Sequence, residues 1–404
     1  MFDYFKKKYG ELLASVLDPL FKWLLGLSWF KRAALVLVVP LVWTIWETRL
    51  QITEHFLVLN QARRILVSAP GEIPIDEKLK HQLARLGERL RTSSANDVAL
   101  MVPPELTGWS AAQSALATAG DIKLAAARAT FVEYMRKRRI DSCGCWAELN
   151  QDGAEKSWVF ISGWALAALA IDREPALPQE IDFILRSQQP TGAWLPTTDA
   201  LQEFSSVYTT AWSIIGLRAQ LDSKLLDKDR SDRAVSSISR GATWLLSTRQ
   251  PGARWKPYPM LHSSNASPTI SGLALHALKR ASVSNIVDLQ QEWLKSLPAT
   301  PIPTSIGENL YVEIRSQAGV TNIDHFVQIT LPWMLIATTD AFDGGSIMER
   351  AKAIQWLEMQ INKTGLLNSD AETKHWWRAE MSIAVNHLAH AVSASAGRTS
   401  ASAP

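Results

Sequence analysis

The chain has 404 residues, of which 47% are hydrophobic and 20% charged, and it carries 42 basic against 39 acidic side chains. This composition excludes a disordered or collagen-like chain, and two cysteines are too few for a disulfide scaffold. A net charge of +3 gives no electrostatic reason to expect nucleic acid as a partner. Tryptophan is unusually frequent, with 17 Trp against 6 Tyr and 11 Phe. Trp is enriched both at membrane interfaces and at fixed places in internal repeats, so these two explanations compete.

The N-terminal segment contains Trp23, Trp29, Trp43 and Trp46. Residues 33–46, AALVLVVPLVWTIW, are fourteen residues without a charge. Extending this run back to residue 27 gives the roughly 20 residues that a bilayer span needs. The preceding ELLASVLDPLFKWLLGL has one apolar and one polar helical face, which is typical of a helix in the membrane interface. Residues 1–50 are therefore predicted to be an interfacial amphipathic helix plus a single transmembrane helix, with a buried core helix as the alternative.

The charges around this span predict its orientation. Basic residues precede it at Lys6, Lys7, Lys8, Lys22, Lys31 and Arg32, and fewer follow it closely, at Arg49, Arg63 and Arg64. This distribution favours a cytoplasmic N-terminus and an extracytoplasmic location for the rest of the chain, although a hairpin-like insertion of the first helix would reverse it. No small-residue cleavage site follows the apolar run, which indicates an uncleaved anchor.

Helical periodicity dominates the rest of the chain. Residues 51–107 are predicted to be a helical connector, interrupted by the breaker SAPGEIPID. We identify no sustained alternation with a period of two, so the predicted class is all-α. From residue 108 to 395 a helix, a Gly-x-Trp loop and a second helix recur, and residues 396–404 are predicted to be a disordered tail. In two copies a second Trp follows the loop Trp after eighteen residues, at Trp164 and Trp212.

One copy of the repeat carries a family resemblance. Residues 183–194, FILRSQQPTGAW, have the spacing of the Gln-Trp repeat of terpene cyclases and of the related repeats in protein prenyltransferase β subunits. Degraded copies are RGATWLLSTRQPGARW from residue 240, RAKAIQWLEMQINKTGLL from residue 350, and CGCW at residues 143–146. The resemblance implies an α/α toroid with inner and outer rings of helices around a central cavity. Within it, the loop Trp and Gln residues are predicted to be structural, because a repeated residue serves the repeat.

The catalytic signatures of this family are missing. No Asp-Asp pair occurs anywhere in the sequence, so the acid motif of protonation-initiated cyclases is absent. Asp340 and Asp343 look like a helix end with its Gly stop. Cys143 and Cys145 lie in a repeat loop, and a metal site formed by them with a distant His is an open alternative, but it lacks a recognisable ligand spacing. Neither a metal nor a cofactor is therefore predicted.

In such a toroid the helix after each Gly-x-Trp loop is the inner one, so its first turns face the cavity. The candidate ligand-binding residues at these positions are Trp158, Tyr208, Thr209, His262, Gln328, Trp376 and Trp377. The candidate catalytic residues, chosen as the acid–base combinations there, are Asp324, His325, His375 and Glu380. Asp324 also suits an N-terminal helix charge and Glu380 a solvated or paired side chain, while the histidines on helical stretches, His276, His387 and His390, are predicted to be packing or surface residues.

These observations predict a membrane-anchored toroid that acts as a non-catalytic binding or scaffold module. Its expected partners are membrane lipid and an apolar, isoprenoid-like small molecule or a protein segment, with no nucleic acid. The alternative is a divergent terpene cyclase or prenyltransferase-like enzyme acting on a polyprenyl substrate. A third hypothesis is a structural partner in a membrane complex.

Overall fold

The computed structural model describes residues 57–61, 107–119, 122–149, 155–261, 265–296, 308–315, 321–328 and 330–340, together with residues 355, 379, 380, 382–384, 386 and 387. The chain divides into two units, Met1–Asn60 and Gln61–Pro404. In the first unit the described residues are 57–60, and they are helical. The predicted membrane span lies outside the described residues. Among the helices that the structure does describe, none has the length and apolar character needed to cross a bilayer.

The described part of the second unit is mostly helical. Its α-helices are α1 (Gly108–Ala117), α2 (Ala125–Lys137), α3 (Val159–Ile171), α4 (Pro178–Arg186), α5 (Val207–Asp222), α6 (Lys228–Ser247), α7 (Pro268–Arg280), α8 (Ile286–Ser296) and α9 (Thr330–Asp340). Its strands are β1 (Arg139–Ile140), β2 (Cys145–Leu149), β3 (Glu155–Ser157), β4 (Glu308–Arg315) and β5 (Thr321–Gln328). Short 3-10 helices occur at Ile122–Leu124 and Gln202–Phe204.

The strands show that the prediction of an all-α chain was wrong in two places. Strands β1, β2 and β3 form a small antiparallel sheet with β2 in the middle. Strands β4 and β5 form an antiparallel hairpin in which Val312 is opposite Asp324. The sequence of β4, ENLYVEIR, does alternate apolar Leu310, Val312 and Ile314 with other residues, which is the period of a strand.

Three candidate site residues are affected by this correction. Asp324, His325 and Gln328 belong to β5, so they do not lie in the first turn of an inner helix. The interpretation of Asp324 as an N-terminal helix charge is wrong for the same reason. The inner helix of this repeat, α9, begins only at Thr330, after the hairpin.

The loop tryptophans Trp146, Trp194 and Trp255 are completely buried and make the same two hydrogen bonds in each repeat. Each indole Nε1 donates to a carbonyl of the preceding helix, on Met135 (2.9 Å), Ile184 (2.8 Å) or Leu245 (2.7 Å). Each backbone N–H donates to a hydroxyl sixteen residues later, on Ser162 (3.4 Å), Thr210 (3.0 Å) or Ser271 (2.9 Å). Every loop Trp therefore joins the outer helix before it to the inner helix after it.

Gln188 connects its loop to the next outer helix. Its Nε2 donates to the carbonyl of Gly192 at 2.9 Å and to that of Ser237 on α6 at 2.8 Å. The next repeat has Arg249 in this position, and its Nη1 donates to Glu292 Oε2 on α8 at 2.8 Å. The other oxygen of Glu292 accepts the backbone N–H groups of the same loop. The degraded copy therefore keeps the inter-repeat connection with different chemistry.

Five inner helices and one further segment form a closed ring. Helices α1, α3, α5, α7 and α9 pack in that order, and the outer helices α2, α4, α6 and α8 connect them. The closing segment is the set of described helical residues between 379 and 387. It contacts α9 through Glu380 and Trp333, and it contacts α1 through Glu380 and Gln113. This arrangement of inner and outer helices is that of an α/α toroid.

Inner helices α3 and α5 run in the same direction and approach one another closely. Along α3 and α5, Tyr208 contacts Trp164, and further along both helices Gln220 contacts Leu166, so the pair is parallel. A Cβ on Gly163 would lie 2.6 Å from the carbonyl oxygen of Trp212. Backbone contact of this kind is possible only with glycine at that position.

We predict that Gly163→Ala destabilises the fold by about 1–3 kcal/mol, because the new methyl group must push two helix backbones apart. Gly108→Ala is the matched control, since its Cβ would meet Trp146 at an ordinary 3.5 Å. The control should stay within about 1 kcal/mol of the parent chain. Thermal unfolding followed by circular dichroism measures both, and equal effects would contradict the close backbone contact.

Candidate functional site

Four aromatic residues meet at the N-terminal end of the inner ring, and we call them the mouth cluster: Trp109, Trp158, Phe160 and Tyr208. The ring centroid of Phe160 lies 5.3 Å from Trp109, 5.6 Å from Trp158 and 5.3 Å from Tyr208. Trp109, Phe160 and Tyr208 are the second residues of α1, α3 and α5, and Trp158 is the N-cap of α3. The starts of α1, α3 and α5 thus place aromatic side chains at the same end of the ring of helices.

Trp158 breaks the capping pattern of the repeat. The corresponding N-cap of α5 is Ser206 and that of α7 is Ser267, and each serine oxygen accepts a backbone N–H in the first turn. At the N-cap of α3 Trp158 makes no such side-chain bond. Replacing a capping serine by a residue that cannot cap costs about 1 kcal/mol. Helix α3 therefore lacks the side-chain cap that stabilises the N-termini of α5 and α7.

The middle of the ring is filled by three indoles. Trp164 and Trp212 stack with centroids 3.3 Å apart, and Trp333 meets both edge-on, at 6.2 and 5.4 Å. Trp333 belongs to α9, which is not adjacent to α3 or α5 in the ring, so these side chains meet across its interior. At this level the toroid has a packed aromatic interior in place of the expected open cavity.

Glu380 lies beside this aromatic interior and is buried. Its Oε2 accepts from Trp333 Nε1 at 2.8 Å, and its Oε1 accepts from Gln113 Nε2 at 3.0 Å. Burial raises the pKa of Glu380 to about 8, although these two hydrogen bonds act in the opposite direction. The carboxyl group therefore carries its proton at neutral pH. Burial and the nearby Glu380 also raise the pKa of Tyr208 well above its usual value.

The C-terminal end of the ring holds a compact polar group, the His–Asp–His cluster of His276, Asp340 and His387. Asp340 Oδ2 lies 2.9 Å from His276 Nδ1, and Asp340 Oδ1 lies 2.8 Å from His387 Nε2. Lys279 Nζ donates to Asp340 Oδ1 at 2.9 Å. Burial alone would raise the pKa of Asp340, but the hydrogen bonds from the two histidines outweigh it and hold this pKa well below its usual value. Burial lowers the pKa of His276.

The predicted site residues whose side chains the structure describes lie at two levels of the ring. Trp158 and Tyr208 lie in the mouth cluster, and Thr209 is buried in the first turn of α5, where its backbone N–H donates to Ser206. Glu380 lies deeper, in the middle of the ring. Four candidates lie outside the described residues: His262, His375, Trp376 and Trp377. The two catalytic pairs, Asp324 with His325 and His375 with Glu380, stay predictions, because the side chains of the first pair and the whole of His375 lie outside the described part of the chain.

The His–Asp–His cluster was missed from sequence because its members are far apart. His276 precedes Asp340 by 64 residues, and His387 follows it by 47. The two histidines were predicted to be packing or surface residues, and Asp340 to be a helix end. The signal that could have found them is the repeat itself, since all three occupy late positions of inner segments. Cys143 and Cys145 form a disulfide, so in this state they offer no thiolates for zinc.

Comparison with known proteins does not assign a family. No family model matches the chain, and no curated protein matches it. Among solved structures, the GH76A alpha-1,6-mannanase from Salegentibacter sp. HEL1_6 is 10% identical, with a TM-score of 0.48 over 78% of this chain and 99% of the mannanase. The type II terpene cyclase MstE from Scytonema is 16% identical, with a TM-score of 0.45 over 78% of this chain and 99% of the cyclase. A family 105 glycoside hydrolase from C. acetobutylicum ATCC 824 is 12% identical, with a TM-score of 0.38 over 67% of this chain and 75% of the hydrolase.

We predict that Glu380→Gln stabilises the protein increasingly as the pH rises from about 5 to about 8. The folded-state pKa near 8 lies above the ordinary value of 4.5, so in this window the folded chain keeps a proton that the unfolded chain has lost. This lowers the free energy of unfolding of the parent by about 1.4 kcal/mol per pH unit, and the loss reaches about 3 kcal/mol at pH 7. Gln113 can rotate its amide to bond the new side chain, because its Oε1 has no hydrogen-bond partner among the described residues.

Thermal unfolding of the parent and the variant at a series of pH values measures this difference. Glu203→Gln, at an exposed position, is the control and should give no such trend. A constant difference between parent and Glu380→Gln across this pH range would show that Glu380 is ionised in the folded state.

Proposed function

We propose that the toroid is a non-catalytic module that binds an apolar ligand at the N-terminal end of its inner ring, on the mouth cluster. The observation that carries the proposal is Trp158, which stands at the N-cap position where α1 has a threonine and α5 and α7 have serines. A residue that violates a local rule of its own fold is expected at functional positions. The neighbouring Phe160 and Tyr208 continue the same aromatic cluster between α3 and α5. Trp158, Phe160 and Tyr208 are buried, so a ligand would have to displace packed side chains to reach them.

The chemistry of the mouth cluster favours an apolar ligand. Aromatic side chains supply large apolar contact areas, and none of the four residues carries a charge. The hydroxyl of Tyr208 already accepts a hydrogen bond from Trp164 Nε1 at 3.1 Å. The packed indoles behind the cluster would stop a ligand at the mouth, so it would bind there instead of passing through the ring.

An isoprenoid-like lipid or an apolar protein segment has this chemistry, and the predicted membrane anchor would hold the toroid close to either. In this proposal the N-terminus is cytoplasmic and the toroid extracytoplasmic. The disulfide between Cys143 and Cys145 supports that side of the membrane, because disulfides persist in oxidising compartments.

A divergent terpene cyclase-like enzyme is the second candidate, and one observation favours it. Glu380 carries a proton at neutral pH and contacts Trp333, which packs on Trp164 and Trp212. A proton donor beside aromatic faces combines an acid with groups that stabilise cations. Both groups are buried, however, so substrate would have to displace packed side chains to reach the acid.

We predict that Trp158→Ser weakens binding of squalene by about tenfold or more. This substitution restores the serine that caps α5 and α7, so it removes the indole while giving α3 a normal N-cap. The measurement is native mass spectrometry of the detergent-extracted full chain incubated with squalene. Trp293→Phe, on outer helix α8 and away from the mouth, is the control and should bind as the parent does. Equal binding by Trp158→Ser and parent, with helical content preserved, would refute the proposed site.

Catalysis is tested separately with the same preparation. Incubation with squalene or geranylgeranyl diphosphate should leave both compounds unchanged when products are analysed by gas chromatography and mass spectrometry. A cyclised or hydrolysed product that Glu380→Gln abolishes would overturn the non-catalytic proposal in favour of the enzyme. A product that persists in that variant would overturn it as well, while excluding Glu380 as the acid.

A further inference from the structure

We propose that His276, Asp340 and His387 bind a divalent transition-metal ion, of the Zn²⁺ type, at the C-terminal end of the inner ring. The three residues come from three consecutive members of the ring, α7, α9 and the closing segment. One ligand atom from each residue lies within 4.8 Å of the others. This site is at the opposite end of the ring from the mouth cluster, and it does not depend on the proposed ligand-binding function.

The donor set matches the chemistry of such ions. Two imidazole nitrogens and one carboxylate oxygen bind Zn²⁺ at about 2.0–2.2 Å, and three protein ligands leave a fourth position open. Imidazole also selects transition metals over Mg²⁺ and Ca²⁺, which prefer oxygen ligands. Both histidine nitrogens already point at the carboxylate. An ion replacing these hydrogen bonds would need side-chain adjustments of the order of an ångström.

The surroundings hold the ligands in place and leave them accessible. The side chain of Asp340 is 2% exposed, whereas those of His276 and His387 are 14% and 29% exposed. A Cβ on Gly272 would lie 2.7 Å from the Trp333 carbonyl oxygen, so the backbones of α7 and α9 are in close contact one helical turn before His276. A buried carboxylate fixed between two partly exposed imidazoles gives an ion both a rigid anchor and a path from solvent.

A variant of Lys279 can distinguish a metal site from a hydrogen-bonded network that binds no ion. Its ammonium group donates to Asp340 Oδ1 and is the competing cation for this carboxylate. The Lys279 side chain is 35% exposed, so it can swing into solvent when an ion binds. Replacing Lys279 by Met should therefore tighten metal binding, because it removes a positive charge from beside the ion.

The test is metal binding by the full chain, purified in detergent, stripped with a chelator and titrated with Zn²⁺ by calorimetry. We expect one Zn²⁺ per chain with a dissociation constant of about 10 µM or tighter. His276→Gln and His387→Gln should each weaken this binding by at least about 100-fold, more than the loss of an outer-shell partner costs. Lys279→Met should strengthen it. Co²⁺ should give visible absorption bands in the parent that both histidine variants lose.

Asp222→Asn is the matched control, because Asp222 is also the last residue of an inner helix and pairs with Arg280, next to the cluster. It should leave Zn²⁺ affinity unchanged. Weaker or non-stoichiometric binding by the parent would overturn the proposal. Equal Zn²⁺ affinity of the parent and the two histidine variants would also overturn it. Zn²⁺ affinity is measured only on variants that retain the helical circular dichroism of the parent, so misfolding cannot account for the outcome.

Discussion

The indole of each loop tryptophan is the contact on which the toroid depends. Each of these residues has two hydrogen-bond donors. The indole Nε1 donates to a carbonyl near the end of the outer helix, and the backbone N–H donates to a hydroxyl on the inner helix that follows. A buried indole N–H needs a partner, and here that partner is always a carbonyl in the last turns of the outer helix. Repetition of this bond keeps the inner helices parallel and in register. The aromatic cluster at one end and the polar cluster at the other are consequences of that register.

The contents of the ring change along its axis. At the N-terminal end the aromatic rings of the mouth cluster pack on one another. In the middle, the Glu380 carboxyl group accepts hydrogen bonds from Trp333 and Gln113, so it joins the closing segment to α9 and α1. Its raised pKa keeps a charge out of this apolar interior at neutral pH. At the C-terminal end an ionised carboxylate is balanced by a lysine and two imidazoles. The two ends of the ring therefore differ in chemistry, one being aromatic and the other polar.

Much of the architecture was predictable because the repeat places Gly and Trp at a fixed spacing, and each of these residue types has a specific structural role. Gly192 adopts φ +95° in front of Trp194, and the Gly-x-Trp spacing already indicates such a turn. Ala253 adopts φ +48° in the same place, which shows that the repeat can keep its shape after losing the glycine. The site was much less predictable. Side chains such as His276 and His387 come together only after the ring closes, and the spacing of residues within one repeat gives no sign of this contact. The β4–β5 hairpin was missed because helical periodicity on both sides outweighed a short alternating run.

The closure of the ring has a consequence for how the chain can fold. The hydrogen bond between Gln113 and Glu380 joins residues 267 positions apart, so α1 and the closing segment can pair only after synthesis has passed residue 380. At ribosomal rates of about 5–20 residues per second, roughly 10 to 50 s pass between the synthesis of α1 and that of the closing segment, its second neighbour in the ring. During that time its apolar side remains open, and such exposed surface is prone to aggregation. Loop-closure entropy over this distance slows the last step further, whereas the local Trp contacts form early. The toroid should thus assemble as an open helical arc that becomes a ring in one late event.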